Sequence, residues 1–422
     1  MMRMEESLSM EFTTLTEDEF RKFYLAHPLK TFLQSPEIGM LRVKSGWQVD
    51  YVGVKKKDTI IAATMLLSKP QFLHKLEFYA PRGFLLDYND KKLLKFFTEQ
   101  IRKFIQKRHG YILRIDPYLV KQERDINGDI VENGENNEDV ISTLKKLGFQ
   151  ESKHHEQVKW MFVLDLENKT EEQLMKEFRP NTRNYIRKAM KLGIQVRELS
   201  YDELDVFKAI TKETSSRIGF PDKSLKYYQD MYKLLHDKGE IRYMIAELNL
   251  KEYQAKTLEE IESLKKQIEE IGDNHSKQGR KKSLTIDLEN AKKRVKETEK
   301  LIKAHGDSIV LSGGMFICNC EEMIYLFSGN YIEFMQFNGQ YLIQWEMIRY
   351  ALNNGFKKYN FYGISGNFDK KSSEYGVYEF KKGFNGHVVE LIGEFELPIN
   401  HYYNLYKNNI AIRNTIKKII KK

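Results

Sequence analysis

The stretch LTEDEFRKFYLA, Leu15 to Ala26, returns in altered form as LSYDELDVFKAI, Leu199 to Ile210. In each, a Thr or Ser stands where a helix N-cap belongs, acids fill the next turn, and apolar residues follow at helical spacing. A repeated opening predicts a repeated unit. Downstream of the first copy, YVGVKKKDTIIAATMLLSK (51–69) reads as strand, turn, strand; downstream of the second, IRYMIAELN (241–249) and SIVLSGGMFIC (308–318) read as the same hairpin with a segment inserted. LEFYAPRGFLLD (76–87), a helix-patterned run over 91–110 and strand YILRID (111–116) are then matched by MIYLFSGNYIEFM (323–335), YLIQWEMIRYALNNG (341–355) and strand KKYNFYG (357–363). Matching elements in one order predict a duplicated α/β (α+β) chain with units at 11–155 and at 156–250 plus 307–398. A C-terminal helix over 399–422 is expected to pack on the first unit.

The insertion, 251–306, has another character. Ile261, Leu264, Ile268 and Ile271, then Leu284, Leu288, Ala291, Val295, Thr298 and Ile302, alternate three- and four-residue steps, the seam of an antiparallel coiled-coil hairpin. Helices of about 20 residues rise about 30 Å, so the arm should project. Its tip carries KQGRKK. A packing arm, a dimer contact and a lever on a polyanion all fit.

The chain has 422 residues, 41% of them apolar, with 25 Phe and 24 Tyr, enough for two or three domains with real cores. No run is long and apolar enough to span a bilayer, and the N-terminus lacks a signal-peptide core, so a cytoplasmic location is expected. The net charge of +9 favours nucleic acid, phosphorylated substrates or an anionic membrane face, or marks an ordinary basic protein. Cys318 and Cys320 lie two apart on a predicted strand and read as reduced packing residues. His154 and His155 read as loop residues, and no histidine has metal-ligand spacing, so no metal is expected. Asn168-Lys169-Thr170 fits a glycosylation acceptor that has no meaning without secretion. Residues 123–139 form a polar, glycine-punctuated surface loop. The tail IAIRNTIKKIIKK suits a capping helix or contact with anionic lipid.

Nucleophile-elbow, HExxH, Walker and GxGxxG patterns are all missing. A duplicated α/β unit suggests acyl transfer of the acetyl-coenzyme A type. Neither copy has that fold's glycine-rich pyrophosphate loop, so coenzyme A is not the expected donor.

PRGFLLDY (81–88), LRIDPY (113–118), QWEMIRYALNNGFKKYNFYGISGNF (344–368) and YGVYEFKKGFN (375–385) together resemble the FemABX family of non-ribosomal peptidyltransferases. The resemblance runs from Glu11 to about Tyr406. It implies two acetyltransferase-like (GNAT-like) subdomains with a coiled-coil arm, and transfer of Gly, Ser or Ala from aminoacyl-tRNA to the amine of the lipid II stem peptide or growing bridge. The enzyme would work without a cofactor, peripheral to the inner membrane face, as a homodimer or with partner enzymes of its kind. The alternative is a non-catalytic tRNA-binding or cell-wall scaffold that dimerises through the arm.

The resemblance also implies site residues. Lys381, with Phe380 beside it, matches the catalytic lysine, a cation facing the tetrahedral oxyanion. On a strand Lys382 would point the other way, and both lysines could simply edge that strand. Asp116, read from its own place at the end of a strand, either orients the attacking amine or starts a turn at Asp-Pro. Arg217 matches an arginine that meets the acceptor diphosphate, and Arg42 stands where the family has lysine. Tyr325 lines the acceptor channel or packs in the core. Gly363 and Gly366 permit close backbone approach, or form a turn.

Overall fold

The computed structural model describes residues 10–219, 221–272 and 275–420. The first half runs β1 (Met10–Thr14), α1 (Glu17–Ala26), α2 (Pro36–Lys44), β2 (Gln48–Lys56), β3 (Thr59–Phe72), β4 (Lys75–Ala80), α3 (Lys91–Lys107), β5 (Gly110–Ile115), β6 (Val120–Glu123), α4 (Glu138–Lys146) and β7 (Gln150–Glu151). The second opens with β8 (Trp160–Asp165), α5 (Glu171–Glu177), α6 (Pro180–Lys191), β9 (Gln195–Glu198), α7 (Leu204–Ile218), α8 (Leu225–Leu235) and β10 (Ile241–Asn249). The inserted helices α9 (Leu250–Ile271) and α10 (Gln278–His305) follow, then β11 (Ser308–Asn319), β12 (Glu322–Asn330), α11 (Gly339–Asn353), β13 (Lys358–Ile364), α12 (Tyr375–Lys382), β14 (His387–Leu391), β15 (Phe395–Pro398) and α13 (Tyr402–Ile420).

The repeated opening has a repeated cause. Thr16 and Glu19 cap α1 reciprocally, and Ser200 with Glu203 does the same for the helical turn leading into α7, so orphan backbone N–H groups are satisfied at both starts. Each half then forms an antiparallel hairpin, β2–β3 and β10–β11. A parallel pair bridged by a helix follows in each, β4–α3–β5 and β12–α11–β13. The crossover helices are needed because a parallel pair cannot be closed by a tight turn. α3 buries Leu93, Leu94, Phe97, Ile101 and Ile105 on its sheet.

The insertion replaces the turn of the β10–β11 hairpin: Asn249 and Ser308, which flank it, face each other in register. α9 and α10 pack through Ile261 and Leu264 against Ala291, with Leu284, Leu288 and Val295 alongside.

Two sheets result, one ordered β1-β2-β3-β4-β5-β15-β7 and one β6-β14-β8-β13-β12-β11-β10-β9. The halves exchange strands. β6 joins the second sheet beside β14, and β15 enters the first between β5 and β7. Chain order groups 120–123 with the first unit and 395–398 with the second. Pairing puts each in the other sheet, because a short strand goes where an open edge can satisfy its backbone groups.

Cys318 is a buried packing residue of β11, as expected, but Cys320 is exposed. It sits past the strand end at φ 58°, in a turn, where its Sγ lies 3.5 Å from the Tyr24 hydroxyl. Strand alternation no longer applies there. At the other end of the chain, Tyr403 and Tyr406 of α13 pack with Tyr111 of β5. The isoleucine–lysine run beyond Ile412 lies outside the residues whose side chains are described. Among the described residues no helix is long and apolar enough to cross a membrane.

Candidate active site

The segment GVYEFKKGFN is helical, not extended: α12 ends at Lys382. A helix turns about 100° per residue, and this separates the two lysines. Lys381 is 6% exposed, and its Nζ donates to the carbonyls of Gly363 (2.6 Å) and Tyr362 (3.3 Å). Lys382 instead reaches Asn127 Oδ1 at 2.7 Å, in the 123–139 loop, and lies over the Tyr378 ring. Burial pulls the Lys381 amine down to about 7. A neutral amine can give one hydrogen to each carbonyl and keep its lone pair, whereas an ammonium brings a third donor.

Those carbonyls are aimed by an irregularity in β13. Its register with β8 shifts between Asn360 and Gly363, and Tyr362 between them takes φ 61°. The Tyr362 N–H donates to the Asn360 side chain at 2.7 Å. A bulge re-aims backbone groups, and here two oxygens turn toward α12. β12 pairs with β13 only from Glu322 to Ile324, so the strands part beside the amine. Phe380 packs on Tyr341 (4.9 Å between centroids) and Phe384 (5.6 Å).

Both glycines answer to packing. A Cβ on Gly363 would lie 2.8 Å from Val158 Cγ1, and one on Gly366, at φ +74°, 2.5 Å from Trp160 Nε1. Gly366→Ala is therefore expected to lose roughly 2–4 kcal/mol, combining left-handed strain with overpacking. A urea titration followed by tryptophan emission measures this.

Asp116 lies at the end of β5, 3% exposed. Its Oδ1 accepts the Arg82 N–H at 2.8 Å, and the Arg82 guanidinium stands 3.5 Å from Oδ2. Burial outweighs that neighbour and pushes the carboxyl up to about 6. Arg82 also donates to the Val158 carbonyl (2.8 Å) and lies over the Tyr118 ring. The Tyr118 hydroxyl donates to Glu322 at 3.0 Å, and Asn360 donates to the same carboxylate at 2.8 Å. Burial raises the Glu322 carboxyl too. Asp116, Arg82 and Tyr118 of the first half are thus joined to Glu322, Asn360 and the Tyr362–Lys381 pair of the second. Sequence reasoning missed Glu322, Asn360, Tyr362 and Arg82 as site residues. Arg82, Asn360 and Tyr362 lie inside the quoted motifs, but nothing around Glu322 signalled it.

A cavity of about 850 Å³ opens on the first sheet, lined by Arg42, Tyr79, Arg114, His155, Glu394 and Tyr406 among others. Arg42, on the last turn of α2, presents a buried Nε with no hydrogen-bond partner among the described residues. Burial lifts the Glu394 carboxyl to about 7. Lys381 does not line this cavity; it sits beneath the bulge. Arg217 is exposed on the last turn of α7 and does not line the cavity either. Tyr325 is a core residue, contrary to the channel-lining expectation. It is stacked on Phe316 and its hydroxyl accepts from Gln340 at 2.6 Å, because β12 turns that side chain inward.

The sequence model described as the FemAB family matches residues 15–409. "Aminoacyltransferase FemA" of Staphylococcus aureus (strain bovine RF122 / ET3-1) is 33% identical over 405 residues, covering 93% of this chain and 96% of that protein. FemA of strain N315 gives the same identity and coverage. Among solved structures, "Crystal structure of FemX" superposes with a TM-score of 0.74 at 25% identity, covering 94% of this chain and 99% of the other. On the match that runs through both halves and the inserted helices, the chain belongs to the FemAB family.

Proposed function

We propose that the protein is an aminoacyltransferase that moves Gly, Ser or Ala from aminoacyl-tRNA to the amine of a lipid II stem peptide or growing interpeptide bridge, at the inner face of the cytoplasmic membrane. The observation that carries this reading is the buried Lys381 amine under the β13 bulge, at about 7 and with no carboxylate paired to it among the described residues. Family membership and the printed activity of the FemA relatives support it.

The acceptor nitrogen forms a bond to the ester carbonyl carbon, and the C–O bond to the terminal ribose breaks. The nitrogen loses a proton and the ribose oxygen gains one, so no outside reagent is needed beyond the ester. As the tetrahedral oxyanion forms, it takes the place of a backbone carbonyl as acceptor from Lys381. The new negative charge favours the ammonium, so a neutral Lys381 picks up the proton that the attacking amine must shed. One such donor contributes roughly a hundredfold to a thousandfold in rate. Phe380 shapes the wall beside it, and Gly363 supplies the carbonyl that holds the amine at rest. Gly366 fits the next turn against Trp160. Asp116, held by Arg82, orients the acceptor amine from the first half. Arg42 lines the cavity that takes the acceptor's phosphates, and Arg217, which lies outside that cavity, meets the diphosphate as the acceptor approaches. The α9–α10 hairpin serves as a coiled-coil arm.

Incubation with charged tRNA labelled in the amino acid, together with lipid II bearing zero to several bridge residues, is expected to label the lipid. Added acetyl-coenzyme A should release no thiol. Label that stays on the tRNA for every donor and acceptor pair would sink the reading.

A further inference from the structure

α6 carries four cations, Arg183, Arg187, Lys188 and Lys191, and no acid. Several exposed cations on other helices sit beside acids one turn away, as in Lys176–Glu172, Lys265–Glu262 and Lys292–Glu289. Arg187, Lys188 and Lys191 have no ion-pair partner among the described residues. The helix buries Thr182, Ile186 and Ala189 and packs on α11, so Arg187, Lys188 and Lys191 occupy its outer face, while the half-buried Arg183 donates to the Lys176 and Phe178 carbonyls.

That face is one wall of a groove. Lys188 and Lys191 line a cleft of about 610 Å³ whose opposite wall is the base of α9 and α10, with Lys256 and Arg294. The Lys256 ammonium reaches across to within 3.1 Å of where a Cβ on Gly193 would stand. Two acids, Glu260 and Glu297, share the cleft, and Glu260 is neutralised by Arg294 at 2.7 Å. Arg183 and Arg187 continue the stripe into an adjoining depression that also holds Glu171 and Glu172, paired to Arg349 and Lys176.

The stripe also has a direction. At its start the Arg179 N–H donates to the Gly383 carbonyl at 2.9 Å, and the Arg179 guanidinium pairs with Glu379 of α12 at 2.6 Å. Tyr185 of α6 packs on Tyr341, which packs on Phe380. Over roughly 16 Å of helix the cations lead from the segment that carries Lys381 to the root of the arm.

Resting on the transferase reading above, we infer that α6 and the arm base form the track on which the sugar–phosphate backbone of the ester-bearing RNA docks. Its terminus is thereby directed toward α12. A bilayer fits less well: Lys188 and Lys191 line a groove rather than a flat face, and α6 exposes only one large apolar side chain, Met190, to enter lipid. A ridged polyanion can enter, and the charges are placed for its phosphates.

The test uses the full chain and the triple variant Arg187→Gln/Lys188→Gln/Lys191→Gln, with Lys265→Gln/Lys292→Gln as a charge control. Binding of deacylated tRNA is followed across a salt series, with phosphatidylglycerol vesicles as the second probe. The triple variant is expected to bind RNA at least about tenfold more weakly, and its slope of log affinity against log salt should fall by about 2. The control should keep both. With charged tRNA the loss should appear in KM and exceed the loss seen with a short aminoacyl-dinucleotide ester. Unchanged RNA affinity and slope would overturn the track, as would a loss confined to vesicle binding. If the variant loses RNA binding while the wild type transfers from neither donor, the track stands and the transferase reading falls.

Discussion

Lys381→Met is expected to cut transfer by a hundredfold to a thousandfold or more and, in the same protein, to raise stability. The two effects share one cause. A lysine in water ionises near 10.5, and burial lowers Lys381 to about 7. Between those values the unfolded chain binds a proton that the folded chain does not. The amine therefore costs the fold most below pH 7, and the cost fades as pH rises toward 10.5. A difference of about 3.5 units corresponds to roughly 5 kcal/mol as an upper bound, and the carbonyl acceptors at Tyr362 and Gly363 reduce it. Methionine keeps the length and removes the amine. Urea midpoints should show the variant more stable by a few kcal/mol at pH 6–7 and level with the wild type near pH 11. Transfer assays on the same samples read the activity. Wild-type turnover from this variant would take Lys381 out of the mechanism. A stability gap that ignores pH would mean that the amine is solvated.

Arg82→Met should have the largest destabilising effect. Its guanidinium is buried 3.5 Å from the Asp116 carboxylate and donates to the Val158 carbonyl, so its loss leaves a buried carboxylate without the neighbouring charge. Breaking such a pair costs about 3–5 kcal/mol. Asp116 already has a raised value, about 6 against 3.8, with Arg82 present to lower it. Without Arg82 it climbs further. A group whose folded value is raised stabilises the fold as pH falls through that value, so the variant should regain stability between pH 8 and pH 5. The wild type should gain less over that range, because its Asp116 begins to take up the proton only near 6. Adding Asp116→Asn should remove the pH dependence and restore part of the loss. A single variant that loses under about 1 kcal/mol at pH 8, with a flat pH profile, contradicts this account of the junction.

Local rules carried much of the fold. The Thr16 and Ser200 caps, the hairpins and the crossover helices were legible because each depends on neighbours in sequence. The split of the second hairpin by an insertion was legible too, since strand pattern resumed at Ser308. Strand exchange was not, because β6 and β15 are too short to declare a partner and each is placed by an open edge far along the chain.

The site divides in the same way. Lys381 and Phe380 stood out through resemblance to a family, Asp116 and the two glycines through their places after strands, and Arg82, Asn360 and Tyr362 lay inside the resembling stretches without being singled out. Glu322 had no such signal. It matters only because the folded halves bring Tyr118 and Asn360 to one carboxylate.

From the amino-acid order alone came a duplicated α/β chain with an inserted helical pair, because periodicity and capping act within a few residues. Tertiary structure alone decided that EFKK is helical, that Lys381 goes inward while Lys382 reaches a loop of the other half, and that a bulge in β13 turns two carbonyls onto the amine. Burial sets the protonation of that amine, and burial is a property of everything packed around it rather than of the residues beside it in the chain.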